Sequence, residues 1–164
     1  MLRVYAADST DIDWMIQLYL AGAKDGHFNV DMSDCRYLEF CRRNFISIVN
    51  QKQIIDLNRQ AYAMIFEEHD QKIGYAVMSE VQSGIGGNEL QLFLVDQKHR
   101  NKGYGNKMLL EIIKRVQPVA DIYLRCFPAS TQMKTLVQKN GFHYSHTNSE
   151  NAEVFVLRKA RAYA

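Results

Sequence analysis

Residues 89–105 read ELQLFLVDQKHRNKGYG, an apolar run followed by a basic loop that holds Gly103 and Gly105, where a helical pattern begins. From Gly105 to Val116, Met108, Leu109, Ile112, Ile113 and Val116 fall on one helical face, and Pro118 marks the end of that helix. A second strand pattern, Asp121 to Phe127, puts Ile122, Leu124 and Cys126 on one face. Strand, crossover helix and strand in this order make the strands 89–95 and 121–127 parallel.

Gly103 and Gly105 remove side chains where the helix starts, so backbone N–H groups there can face an anion unobstructed. Lys98, Arg100, Lys102 and Lys107 surround them. Unpaired N–H groups, the helix dipole and these cations together suit a phosphate or pyrophosphate. A glycine turn with solvated lysines is the other reading, and a short glycine motif does not decide between them.

Working outward, Ala61 to Phe66 and Ile73 to Val81 alternate as two strands, and the polar turn His69 to Lys72 makes them a hairpin. The glycine-rich segment Ser83 to Asn88 turns the chain into the strand Glu89 to Val95. Nearer the start, Leu2 to Ala6 is a strand, Thr10 with Asp13 forms a capping box, and Ile12, Met15, Ile16 and Tyr19 share one face of a helix over 11–23. A second helix from Ser33 is expected to turn Tyr37, Leu38, Cys41, Phe45 and Ile48 inward. The connector between these helices either covers a substrate or is a plain link, and its His27 is read as a packing or surface group without a catalytic role. Downstream, a helix from Ser130 to Lys139 stops at Asn140 and Gly141 in a left-handed cap, and Phe142 to Thr147 and Ala152 to Arg158 are the last strands. The expected fold is one α/β domain over 1–164, with a mixed central sheet of about seven strands flanked by about four helices.

With 164 residues, 47% hydrophobic and 23% charged, the chain can bury a substantial core without a structural metal or disulfide scaffold. A net charge of +2 is too small to imply nucleic-acid or membrane binding, so neither partner is expected. Cys35, Cys41 and Cys126 form no CxxC pair, which fits reduced thiols and a cytoplasmic location. No apolar run reaches about 18 residues, and Met1 to Ala7 is too short and polar for a signal sequence. His143 and His146, three apart on a strand, are expected on opposite faces, so no metal site is expected.

The spacing of Arg100, Gly103 and Gly105 resembles the signature of the GNAT superfamily of acyl-CoA-dependent N-acyltransferases, a basic residue, two residues, Gly, one residue, Gly. Val95, Met108, Leu109 and Leu110 also match, as do Asn140, Gly141 and Phe142. These motifs are strong over 89–142 and weak before residue 60, while the order of elements agrees over nearly the whole chain. The resemblance implies that the two parallel strands splay at the glycine loop and admit the pantetheine arm of acetyl-CoA, the expected cosubstrate. Backbone groups of Phe93, Leu94 and Val95 would pair with pantetheine amides. Arg100, Asn101, Lys102, Gly103, Tyr104, Gly105 and Asn106 would hold the pyrophosphate, with Lys98 or Lys107 at other phosphates.

The implied reaction is direct attack of a small-molecule or peptide amine on the thioester. An amine with a pKa of about 10.4 is mostly protonated at neutral pH, so a proton acceptor helps. Glu89, eleven residues before Arg100, has the spacing of the general-base glutamate in the histone-acetylating branch, and Glu80 on the neighbouring strand is the second candidate. A backbone N–H near Leu94 or Val95 would stabilise the oxyanion. Many family members place a tyrosine on the later helix to protonate the leaving thiolate. The aligned residues here are Ser130, Met133, Leu136 and Val137, so valine stands at the tyrosine position. Water, Tyr144 or Tyr123 are the alternative donors. Cys126 is read either as an acylated intermediate or, in preference, as a buried structural thiol. A non-catalytic acyl-CoA-binding or sensing module is the alternative function, and the acceptor and a homodimer stay open.

Overall fold

The computed structural model describes residues 1–28, 34–55, 57–81 and 86–161. The chain runs β1 (Arg3–Ala6), α1 (Ile12–Lys24), α2 (Cys35–Gln51), β2 (Gln53–Ile54), β3 (Arg59–Glu68), β4 (Gln71–Glu80) and β5 (Asn88–Val95). It continues with α3 (Tyr104–Val116), β6 (Ile122–Cys126), α4 (Thr131–Lys139), β7 (His143–Thr147) and β8 (Glu153–Leu157). Seven strands form the order β1-β3-β4-β5-β6-β8-β7, and the two-residue β2 pairs with β3 beside them. This is the expected mixed sheet with four helices. The parallel contact is β5 with β6, and the remaining pairs are antiparallel.

The sheet is covered on both faces. Met64, Phe66, Ala76, Met78, Leu90 and Leu124 pack with Met108, Leu109, Ile112 and Val137 of α3 and α4. Ala63, Ile65, Tyr75, Val77 and Leu94 pack with Met15, Ile16, Tyr19, Phe45 and Ile48 of α1 and α2. Burial of both sides explains why β4 reads as a nearly continuous apolar run. The hydroxyl of Tyr75, itself fully buried, donates to the Met15 carbonyl at 2.9 Å and ties β4 to α1. His69 and Asp70, both left-handed (φ 53° and 59°), make the tight turn between β3 and β4.

Several local expectations are corrected. The capping box is formed by Asp8 and Asp11 rather than Thr10 and Asp13, and it caps a short 3₁₀ turn, Ser9–Asp11, that leads into α1. The box sits earlier than expected because the chain winds tightly before it becomes α-helical. Asp34 caps α2, which starts at Cys35; the expected start at Ser33 lies outside the described residues, as do Ser83, Gly84 and Ile85 of the expected turn. Leu38 is exposed, because the first turn of α2 faces α1 with Tyr37, whose hydroxyl lies 2.6 Å from that of Tyr19. His143 and His146 share a face, since a bulge at Ser145 puts them opposite Val156 and Val154. Both are exposed, and among the described residues no group of three or more His, Cys, Asp or Glu could hold a metal ion.

Candidate active site

β5 and β6 pair only at Asn88 with Ile122, Glu89 with Tyr123 and Leu90 with Leu124. Beyond that point they separate, and among the described residues 91–95 have no ladder partner on the β6 side. The separation has a local cause. Gln91 is an extra residue in β5, because Val77 faces Leu92 while Met78 faces Leu90. Such a bulge bends its strand and increases its twist. The gap opens into a cleft of about 510 Å³ between β5, the loop 99–105, the end of α1 and the start of α4.

The glycine loop closes one end of this cleft. Gly103 adopts φ +80° at the N-cap of α3, a left-handed conformation that favours glycine. The N–H groups of Tyr104, Gly105 and Asn106 precede the first intrahelical bond, Lys107 N–H to Gly103 O at 3.2 Å. A Cβ on Gly105 would stand 3.5 Å from Leu136 and 3.9 Å from Val95, two residues of the cleft wall. The loop therefore offers backbone donors and a positive helix end to an anion.

Of the sequence-derived binding residues, Phe93, Leu94, Val95, Arg100, Asn101, Gly103, Tyr104 and Gly105 line the cleft. Lys102 and Asn106 do not. Lys102 Nζ donates to the Lys98 carbonyl at 2.9 Å, and the Asn106 side chain accepts from Asn140 at 3.0 Å, which joins α3 to the end of α4. Arg100 is partly committed as well, since its Nε donates to the Val95 carbonyl at 3.1 Å and closes the end of β5. The Tyr104 hydroxyl donates to Glu68 at 2.7 Å, and Lys107 lies 3.6 Å from the same carboxylate. That bond raises the Tyr104 phenol above its ordinary range and holds Glu68 below the usual carboxylate range.

Glu89 and Glu80 are separated by the pleat. Glu89 pairs with Ser79 on the α1/α2 side and Glu80, one residue on, is exposed opposite Asn88; neither lines the cleft, and Glu89 reaches it through Arg125. The Glu89 carboxylate accepts from Arg125 Nε at 2.8 Å and lies 3.6 Å from Arg59. Arg125 itself lines the cleft and also donates to Gln91 at 3.3 Å, whose amide donates to Ser79 at 2.9 Å. Sequence reading missed this cluster, because Arg59, Gln91 and Arg125 come from three strands and no local spacing links them.

Val137 is fully buried in the α3/α4 core and offers no proton. Tyr144 bonds to Thr147 and Tyr123 accepts from Arg158, and neither lines the cleft. Cys126 is buried, and burial pushes its thiol up to about 11, so it stays protonated at neutral pH. This fits the structural thiol. Two further polar pairs in the cleft were not revealed by the sequence: His27 with its Nδ1 3.3 Å from the Ser130 hydroxyl, and Arg100 3.9 Å from Asp25.

A central sheet that splays toward a glycine-started helix is the arrangement the resemblance implied. The model of the GNAT acetyltransferase family matches residues 28–142, and the chain belongs to that family. No match is found among curated proteins. Among solved structures, an acetyltransferase from Thermus thermophilus matches with a TM-score of 0.71 and 16% identity, covering 96% of both chains. The PaiA N-acetyltransferase of Thermoplasma acidophilum in complex with coenzyme A matches with 0.66 and 15%, covering 98% of this chain and 99% of that one. Spermidine N-acetyltransferase from Vibrio cholerae, in complex with CoA and spermine, matches with 0.72 and 12%, covering 96% and 95%. At these identities the likeness shows the fold. No helix among the described residues is long and apolar enough to cross a membrane.

Proposed function

We propose that the protein is an N-acetyltransferase that moves acetyl from acetyl-CoA directly to a primary amine of a small molecule or peptide. The observation that carries this reading is the gap between β5 and β6, which leads to the unbonded N–H groups at the start of α3. The edge of Phe93 to Val95, left free by β6 apart from the Val95 carbonyl that Arg100 takes, suits the pantetheine amides, and Arg100, Asn101, Gly103, Tyr104 and Gly105 suit the pyrophosphate. The Thermoplasma and Vibrio neighbours, which hold coenzyme A, support the choice of donor.

Glu89 takes the amine proton, directly or through water, while Arg125 and Arg59 keep its carboxylate in place. A backbone N–H near Leu94 or Val95 stabilises the oxyanion. Glu80 is set aside as the base, since it lies on the other face of the sheet. Buried Val137 motivates the second reading, a module that binds acyl-CoA without turnover. Thiol release with acetyl-CoA and a panel of amines separates the two. Amine-dependent release is expected, whereas CoA binding without release from any amine would establish the sensor.

A further inference from the structure

We infer that Ser130 and His27 form the proton path to the leaving thiolate, replacing the donor that α4 lacks at Val137. The inference rests on acetyl transfer as the activity. Ser130 occupies the N-cap position of α4, where a serine hydroxyl ordinarily bonds to the first-turn N–H groups. Its hydroxyl makes no such bond and lies instead 3.3 Å from His27 Nδ1. Both residues line the cleft, and Met133 and Leu136 of the same helix form the adjoining wall.

His27 is held there by backbone geometry. At the end of α1, His27 N–H bonds to Gly22 O at 3.1 Å and Gly26 N–H to Ala23 O at 3.0 Å, with Gly26 at φ +79°, which is a Schellman ending. Phe28 then stacks on Tyr19 with ring centroids 4.7 Å apart and packs over Gly22, where a Cβ would lie 2.8 Å from its ring. These contacts carry the chain end of α1 across the cleft to α4. Two other protic side chains of the cleft are unsuited to the step. Tyr104 donates to Glu68, and the Arg125 guanidinium does not give up a proton.

In the step, the amine nitrogen bonds to the thioester carbon and the carbon–sulfur bond breaks. The thiolate takes the Ser130 hydroxyl proton, Ser130 takes the Nδ1 proton of His27 as its Nε2 gains one from solvent, and the amine's proton passes to Glu89 or water. One proton leaves the amine and one reaches the thiol, so the exchange balances.

The test compares the parent chain with Ser130→Ala, His27→Gln, their combination and Ser130→Thr, using acetyl-CoA and the best amine of the panel. Each single loss is expected to lower kcat at least about tenfold while CoA affinity by calorimetry stays within about twofold. The double variant should be no slower than the worse single, because the two groups act in series. Ser130→Thr should recover part of the rate. Single variants that match the parent, losses that multiply in the double variant, or a threonine no better than alanine would each overturn the path while leaving acetyl transfer standing. A parent chain that binds CoA and releases no thiol with any amine overturns acetyl transfer itself, and the path with it.

Discussion

Arg125 Nε donates to Glu89 Oε1 at 2.8 Å across the parallel pair of β5 and β6, at the last rungs before the strands part. The contact links the charge that closes the sheet to the cleft, because Arg125 lines the cleft and Glu89 lies behind it. In Glu89→Gln, Arg125 and Arg59 lose their shared anion. Urea unfolding should show a loss of about 1–3 kcal/mol. If Glu89 is the base, kcat should also fall about 100-fold. Full turnover in a destabilised variant would leave Glu89 with the pairing role alone.

Gly105→Ala should move stability and binding in opposite directions. Gly105 lies within α3, and a methyl there meets Leu136 and Val95 at ordinary contact distance. Alanine therefore stabilises the helix by up to about 1 kcal/mol. The same methyl enters the cleft beside the α3 N-terminus. Calorimetry should show CoA affinity weakened about tenfold, or roughly 1.4 kcal/mol.

Asp11 should be the most sensitive acidic residue for stability. It is 1% exposed, accepts from Asp8 N–H at 2.9 Å and lies 2.5 Å from Lys72 Nζ. Asp11→Ala removes the acceptor of the Asp8 N–H and the carboxylate beside the Lys72 ammonium, which keeps only its place over the Trp14 ring. Because Lys72 is a third exposed, the expected loss is about 2–3 kcal/mol by chemical denaturation, below that of a fully buried pair.

Cysteine labelling should be selective. At pH 8 a thiol raised to about 11 is only on the order of 0.1% thiolate, and Cys126 is also inaccessible. Cys41 is buried and raised by the same cause, while Cys35 is exposed. Mass spectrometry after brief alkylation of the folded protein should find the label on Cys35. Rapid labelling of Cys126 would reopen the acyl-cysteine reading.

Asp121 should contribute to acid sensitivity. Hydrogen bonds from the Lys159 N–H and from Arg158 hold its carboxyl below the usual carboxylate range. A depressed folded value stabilises the native state above the unfolded value of about 3.9, and the contribution disappears as pH falls through the lower folded value. In Asp121→Asn, the drop in melting temperature between neutral pH and about pH 3 should be smaller than in the parent chain.

The glycine loop and the crossover were legible because they are written locally. Gly103 and Gly105 stand beside the apolar stripe of α3, and the helix and strand periods on either side fix their setting. Residues such as Ala63 and Ile65 were harder to place, since they are buried by α1 and α2 on a second face that strand alternation alone does not reveal. The bulge at Gln91 was hidden for a related reason. It exists only as a mismatch between β4 and β5, and nothing in the sequence of β5 marks the extra residue. His27 and Ser130 lie 103 positions apart, so only the folded chain brings their side chains together.

The parting of β5 from β6 gives the sheet an inner rim in addition to its outer ones at β1 and β7. An open strand edge ordinarily invites another strand, with the attendant hazard of aggregation. This one is recessed between α1 and α4, with the glycine loop at its end. A polypeptide strand would have to bring side chains on both of its faces into that cleft, whereas the thiol-bearing end of pantetheine is an unbranched chain of amides. The fold thus keeps a strand edge inside the molecule, set back from the outer edges of the sheet.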